Sequence, residues 1–261
     1  MKIVIAIPAR IGSTRLPEKA LADISGEPMV VRVWRRCATA CGAAAVLVAT
    51  DDERIRDVVR SAGGVAVITA PSHRSGTDRI AEAVRGQRCD LVINVQGDEP
   101  FVEAAPLEAL VETFACGSPP EAATLATPIR AARDLLNPAV VKVLVGRDGY
   151  AVYFSRHAIP WSEELSDPAP GSPSGRSTAP LDPSGYLRHI GIYAYRPGFL
   201  QRFTKLEPTW GEQSERLEQL RILEHGHRIR VVLTPWDALA VDTPVDLEKA
   251  RERASSEAHP A

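Results

Sequence analysis

The chain has 261 residues, 44% of them hydrophobic and 25% charged, enough for one large α/β domain or one domain with a subdomain. Its formal net charge is −2, so no general affinity for nucleic acid or a membrane surface is expected, and any anion site must be local. Four cysteines, Cys37, Cys41, Cys89 and Cys116, are too few and too scattered for a disulfide framework. Cys37 and Cys41 would share a helix face, but no His or further Cys nearby completes a metal set, so they read as small hydrophobes. Met1-Lys2 leads straight into a strand-like run without a signal-peptide pattern, and no apolar run approaches the roughly 20 residues of a spanning helix, so a cytoplasmic protein is expected.

In chain order, β-branched runs at Ile3–Ile7, Ala45–Ala49, Val65–Ile68 and Leu91–Val95 alternate with helical periodicity through Pro28–Cys41, Glu53–Ala62 and Asp78–Arg85. That alternation predicts βαβ units on a parallel sheet, where ligands collect at the carboxyl ends of strands. The segments to inspect are therefore Pro8-Ala9-Arg10, Thr50-Asp51-Asp52, Ser75-Gly76-Thr77 and Gln96-Gly97-Asp98-Glu99-Pro100. Further strands are predicted at Ala123–Thr127, Val140–Leu144 and Ala151–Phe154, within a strand-rich region of about 122–200. The run "SEELSDPAPGSPSGRSTAPLDPSG", residues 162–185, cannot form regular structure and reads as a flexible surface loop, because strand-like "GIYAY" and helical "SERLEQLRILEHG" follow it. The whole reads as a single domain over 1–253, with a disordered tail at 254–261.

Five stretches carry candidate chemistry. In "RIGSTRLPEK", Arg10, Arg15 and Lys19 surround small residues directly after the first strand; neither a G-x-G-x-x-G nor a Walker A pattern is present, so side chains would grip a nucleotide triphosphate. In "NVQGDEP", Asp98 is placed to reach Mg²⁺, which takes one or two carboxylates plus phosphate oxygens; a turn or cap residue is the plain alternative. In "VDTPVDLEKA", Thr243, Pro244 and Asp246 read as a helix start, and Asp242 lies outside that pattern, so spacing leaves it open as a second carboxylate. In "SERLEQLRILEHG", Leu217, Leu220 and Leu223 form a core stripe, while periodicity reads Glu215, Glu218 and Gln219 as a solvated face. Arg156, His157, Arg188 and His189, in "YFSRHAIPW" and "YLRHIGIYAY", suit a carboxylate or hydroxyl-rich ligand or a structural role, and spacing does not choose.

Taken together, "IPARIGSTRLPEKAL", "VATDDERI", "SGTDRIAEA", "NVQGDEP", "YFSR", "IPW", "LRHIGIYAYR", "LEQLR" and "VDTPVDLE" resemble the 3-deoxy-manno-octulosonate (Kdo) cytidylyltransferases, over about residues 2–253. The resemblance implies an α/β Rossmann-like nucleotidyltransferase fold: a mostly parallel central sheet flanked by helices, with a smaller strand-rich subdomain that binds substrate or forms the dimer. It implies transfer of CMP from CTP to Kdo for lipopolysaccharide assembly, with Mg²⁺ as cofactor and a homodimeric state. Arg10, Arg15 and Lys19 then match the triphosphate loop, and Thr50, Asp51, Ser75, Gly76 and Gln96 the cytidine and ribose pocket. Asp98 and Asp242 match the Mg²⁺ carboxylates, and Arg156, His189, Glu218 and Gln219 match positions near the sugar acid. Arg10, Lys19 and Asp98 would carry the catalysis.

Two departures stand out. Glu18 occupies a position where the family usually has Gly, beside the phosphate-binding cations, and "TWGEQSE" replaces the usual Pro-Leu-Glu lead into the Glu-Gln helix. The second leaves open another ulosonic acid, such as 8-amino-Kdo or a sialate-type sugar. A glycosyltransferase holding a sugar nucleotide is a more distant alternative.

Overall fold

The computed structural model describes residues 1–13, 15–115, 117–162 and 182–258, so Cys116, most of the 162–185 loop and the last three residues of the tail lie outside the described residues. The chain runs β1 (Ile3–Ala9), a 3₁₀ turn (Lys19–Leu21), β2 (Asp23–Ile24), β3 (Glu27–Pro28), α1 (Met29–Ala38), β4 (Ala45–Thr50), α2 (Glu53–Ser61), β5 (Val65–Ile68), α3 (Gly76–Ala83), β6 (Leu91–Asn94) and α4 (Ala104–Ala115). It continues with β7 (Ala122–Pro128), α5 (Ala132–Leu136), β8 (Lys142–Val145), β9 (Ala151–Ser155), β10 (Leu187–Tyr195), α6 (Pro197–Phe203), α7 (Trp210–Glu215), α8 (Gln219–Glu224), β11 (Ile229–Leu233) and α9 (Pro244–Ala258). Contacts divide it into two compact units: Met1–Ala123 with Gly191–Lys205 and Trp236–Ala261, and Thr124–Ile190 with Leu206–Pro235.

The first unit holds the parallel sheet. β1 pairs in parallel with β4 and β6, and β4 with β5, while the second half of β10 runs antiparallel to β6. Every residue of β1 is buried, as expected for a central strand covered on both faces. Helices α1 and α3 pack on β1 and β4, and α2 packs on β4 and β5. This is the mixed α/β sheet that the alternating runs predict. The helix predicted over Pro28–Cys41 is shorter: α1 stops at Ala38, and Cys41 and Gly42 both adopt positive φ (44° and 56°) in the turn into β4. Cys41 therefore shares no helix face with Cys37; burial raises both thiols above the ordinary range, Cys41 to about 11.

The tail does not fray after Arg253. α9 continues to Ala258, with Ala254 buried in a cluster that includes Ile24, Met29 and Leu247, and with Glu257 2.8 Å from Arg32. Its start is as predicted. Thr243 Oγ1 accepts from Asp246 N at 3.2 Å, and the Asp246 carboxylate accepts from Thr243 N at 3.0 Å, a reciprocal cap followed by Pro at the first helical position.

The second unit is largely antiparallel. β8 pairs with β9, and the first half of β10 meets β8 at Arg188 and Lys142. The helix predicted through "SERLEQLRILEHG" is broken in two: α7 ends at Glu215, Arg216 takes φ 54°, and α8 begins at Gln219. Glu215 therefore does not share a helical face with Glu218 and Gln219.

Candidate active site

Strand register sets the site in the first unit. Ala9 of β1 lies opposite Thr50, Thr50 opposite Ile68, and Ala6 opposite Asn94, so the segments after β1, β4, β5 and β6 leave the sheet along one edge. β1 lies between β4 and β6, where strand order reverses, and crevices form at such points. A cleft of about 340 Å³ opens there, lined by Arg10, Arg15, Lys19, Ser75, Gly76, Gln96, Asp98 and Asp242. Gly97 allows the ends of β1 and β6 to approach closely: a Cβ there would lie 2.8 Å from the Pro8 carbonyl oxygen.

Packing brings the distant charges together. Leu16 is buried with Phe101, Val241 and Leu247, which anchors the loop carrying Arg15 against the segment carrying Asp242. Val241 N donates to Asp98 O at 2.9 Å, fixing Asp242 beside Asp98. Lys19 Nζ then lies 2.6 Å from Asp98 Oδ2 and 2.9 Å from Asp242 Oδ1, and Arg15 Nη2 is 3.1 Å from the same Asp242 oxygen. Burial alone would lower the Lys19 pKa, but Asp98 and Asp242 together outweigh it, and the ammonium is held above the ordinary lysine value.

Two carboxylates converging on one cation are a donor set suited to Mg²⁺, which takes one or two carboxylates and completes its shell with phosphate oxygens and water. Among the described residues no group of three or more His, Cys, Asp or Glu forms a closed metal cage. The pair therefore fits a metal shared with a bound phosphate chain.

Thr50 and Asp51 do not line the cleft. Thr50 is fully buried, and Asp51 Oδ2 accepts from Arg79 Nη2 at 2.8 Å, while Arg79 Nη1 donates to Thr69 Oγ1 at 2.7 Å. Arg79, itself a lining residue, thus stands between Asp51 and the cleft. Ser75 caps α3, its hydroxyl accepting from Asp78 N at 3.1 Å, so the positive end of that helix borders the cleft. Gln96 Nε2 donates to Gly191 O at 3.3 Å. His73, Arg74 and Arg79 were missed from sequence; the signal was the basic run "HRSGTDR" after the third parallel strand.

All four residues matched to the sugar acid lie in the second unit. Arg156 Nε donates to Glu215 O at 2.7 Å, Nη1 to Pro138 O at 3.0 Å and Nη2 to Arg216 O at 3.4 Å. Thr124 Oγ1 donates to Ile190 O at 3.2 Å and lies 3.0 Å from His189 Nε2. Burial pushes the His189 pKa down to about 3, so the ring is neutral at neutral pH. Gln219 is buried, and Glu218, just before α8, lies 3.7 Å from Arg221.

A family model described as cytidylyltransferase matches residues 3–229. The chain is 44% identical over 257 residues to a 3-deoxy-manno-octulosonate cytidylyltransferase of Trichlorobacter lovleyi, covering 97% of this chain and 98% of that protein. It is 46% identical over 260 residues to one of Idiomarina loihiensis, covering 97% and 99%. The chain belongs to the 3-deoxy-manno-octulosonate cytidylyltransferase family. A solved CMP:2-keto-3-deoxy-manno-octonic acid synthetase complexed with CTP is 40% identical and superposes with a TM-score of 0.85, covering 98% of this chain and all of that one.

In this cytidylyltransferase Glu18 has φ 51° and ψ 32°, in the left-handed region that favours glycine. Its carboxylate reaches Arg54 Nη1 at 2.5 Å and lies outside the set of cleft-lining residues. No helix of the cytidylyltransferase among the described residues is long and apolar enough to cross a membrane.

Proposed function

We infer that this cytidylyltransferase transfers CMP from CTP to the anomeric hydroxyl of Kdo and releases pyrophosphate. One observation carries the reading: a single cleft gathers Arg10, Arg15 and Lys19 beside Asp98 and Asp242, in a chain 40% identical to a synthetase complexed with CTP. Arg10, Arg15 and Lys19 bind the phosphate chain, and Ser75, Gly76 and Gln96 border the nucleoside, with Thr50 and Asp51 supporting through Arg79. Asp98 and Asp242 would hold Mg²⁺, which when bound would neutralise charge on the phosphoryl oxygens.

In the reaction the anomeric oxygen forms a bond to the α-phosphorus, the bond from the α-phosphorus to the bridging oxygen of the β-phosphate breaks so that pyrophosphate leaves, and the sugar hydroxyl gives up its proton to water. Arg10 and Lys19 stabilise the charge that develops on the departing pyrophosphate; fixed cations in a partly buried site act more strongly than in water. Lys19 suits this role because it is charged at any working pH, and it exchanges contacts with the two aspartates for contacts with phosphate. Arg156, His189, Glu218 and Gln219 form the set assigned to the sugar acid, with His189 acting as a neutral hydrogen-bonding group. The exposed apolar side chains of Val152, Tyr153 and Leu233 in the second unit support a homodimer, and the absence of a spanning helix among the described residues is compatible with the cytoplasm.

Kdo labelled with ¹⁸O at the anomeric hydroxyl tests the reaction. The label is expected in the phosphodiester bridge of the product, read by mass spectrometry and by the ³¹P shift. Label in pyrophosphate, or cleavage of CTP without a phosphodiester, contradicts the assignment.

A further inference from the structure

Lys142 lies on β8 opposite Ser155 of β9, and its side chain is fully buried. A buried ammonium is tolerated when each of its protons has an acceptor. Here three backbone carbonyls supply them: Asn137 O at 3.0 Å, Val140 O at 2.7 Å and Arg156 O. A neutral amine has only two protons to give, so three acceptors match the charged form. Burial lowers its pKa and the Arg156 charge adds to this, while Glu215 acts in the opposite direction.

Glu215 completes the arrangement. Its carboxylate accepts from Ser155 Oγ at 2.6 Å and from Arg156 N at 2.9 Å, and its carbonyl accepts from Arg156 Nε at 2.7 Å. Arg156 also binds the Pro138 carbonyl. Three segments remote in sequence, the 137–140 turn, the end of β9 and the break between α7 and α8, are therefore tied through one lysine, one arginine and one glutamate. The break at Arg216 leads within three residues to Glu218 and Gln219.

We propose that Lys142 and Glu215 are positioning residues for sugar-acid recognition: they hold the end of β9 and the α7–α8 break in place and so set where Glu218 and Gln219 stand. Arg156 belongs to this frame, its guanidinium engaged with main-chain carbonyls. The inference rests on the assignment of Glu218 and Gln219 to the sugar acid. Removing the ammonium leaves three carbonyls without their donor, which loosens these segments and leaves the parallel sheet and its cleft intact.

The test compares Lys142→Met, Glu215→Gln and Glu218→Ala with the parent enzyme, measuring KM for Kdo, KM for CTP, and hydrogen exchange of amides 216–221. Lys142→Met and Glu215→Gln are expected to raise KM for Kdo roughly tenfold, leave KM for CTP within about twofold, and speed exchange across 216–221. Glu215→Gln keeps the side-chain shape and carries the test if Lys142→Met does not fold. Unchanged KM for Kdo in the positioning variants, or equal rises for both substrates, overturns the proposal. An unchanged KM for Kdo in Glu218→Ala alone overturns the assignment of Glu218 and removes the route by which Lys142 acts.

Discussion

Glu18 sits in a left-handed conformation that costs a non-glycine residue about 1 kcal/mol, close to the entropy a glycine would lose on folding there. Its exposed contact with Arg54 adds little. Glu18→Gly is therefore expected to leave stability within about 1 kcal/mol of the parent in urea unfolding, with turnover unchanged. A large gain in CTP affinity would instead mean that the acid opposes the phosphate chain. At Asp98 the expectation is sharper: Asp98→Ala removes the shorter of the two Lys19 contacts and a carboxylate proposed to hold Mg²⁺, and should nearly abolish turnover with an unchanged far-UV spectrum. For His189 the sign follows from its lowered pKa. The unfolded chain binds a proton near pH 6.5 and the folded ring only near 3, so protonation of the unfolded state erodes stability as pH falls through that window. His189→Gln should lose less stability than the parent between pH 6.5 and 4, and parallel losses would contradict the buried neutral ring. Lys19, Asp98 and Asp242 were each visible in the sequence as candidates, but their mutual contact was not. It depends on Leu16, Phe101, Val241 and Leu247 packing together across more than 200 residues of chain.

Elements were readable where local signals and tertiary packing agree. The start of α9 followed from Thr243, Pro244 and Asp246 because a cap and a proline act within one turn. Its end did not, because the polar composition after Arg253 conceals that Ala254 is buried and that Glu257 meets Arg32, groups supplied by another part of the chain. Deleting residues 254–261 should lower stability by about 2 kcal/mol, read as an earlier urea midpoint with little change in slope. An unchanged midpoint would show that this end of α9 contributes nothing. The α7–α8 break was equally hidden. Leu217, Leu220 and Leu223 keep a helical period through it, while the positive φ of Arg216 and the ties from Ser155 and Arg156 to Glu215 are set by strand β9.

At the scale of the molecule, the parallel strands were legible from their alternation with helices, and the general rule for such sheets placed the cleft at their carboxyl ends. The register agrees with that placement: four loops leave one edge together, and Arg10, Arg15, Lys19, Asp98 and Asp242 line it, whereas Asp51 stands behind Arg79. The division into two units was less legible, since the second is assembled from two separated stretches, 124–190 and 206–235, and the Pro/Ser/Gly-rich run 162–185 falls inside one of them rather than between them. The proposed reaction couples CTP to Kdo. The most direct measurement is the rate of pyrophosphate release with Mg²⁺, in parallel reactions pairing CTP or UTP with Kdo, 8-amino-Kdo or a sialic acid. Fast release is expected with CTP and Kdo, and little with UTP or a sialic acid. Faster release with another sugar acid, or none in any reaction, would contradict it.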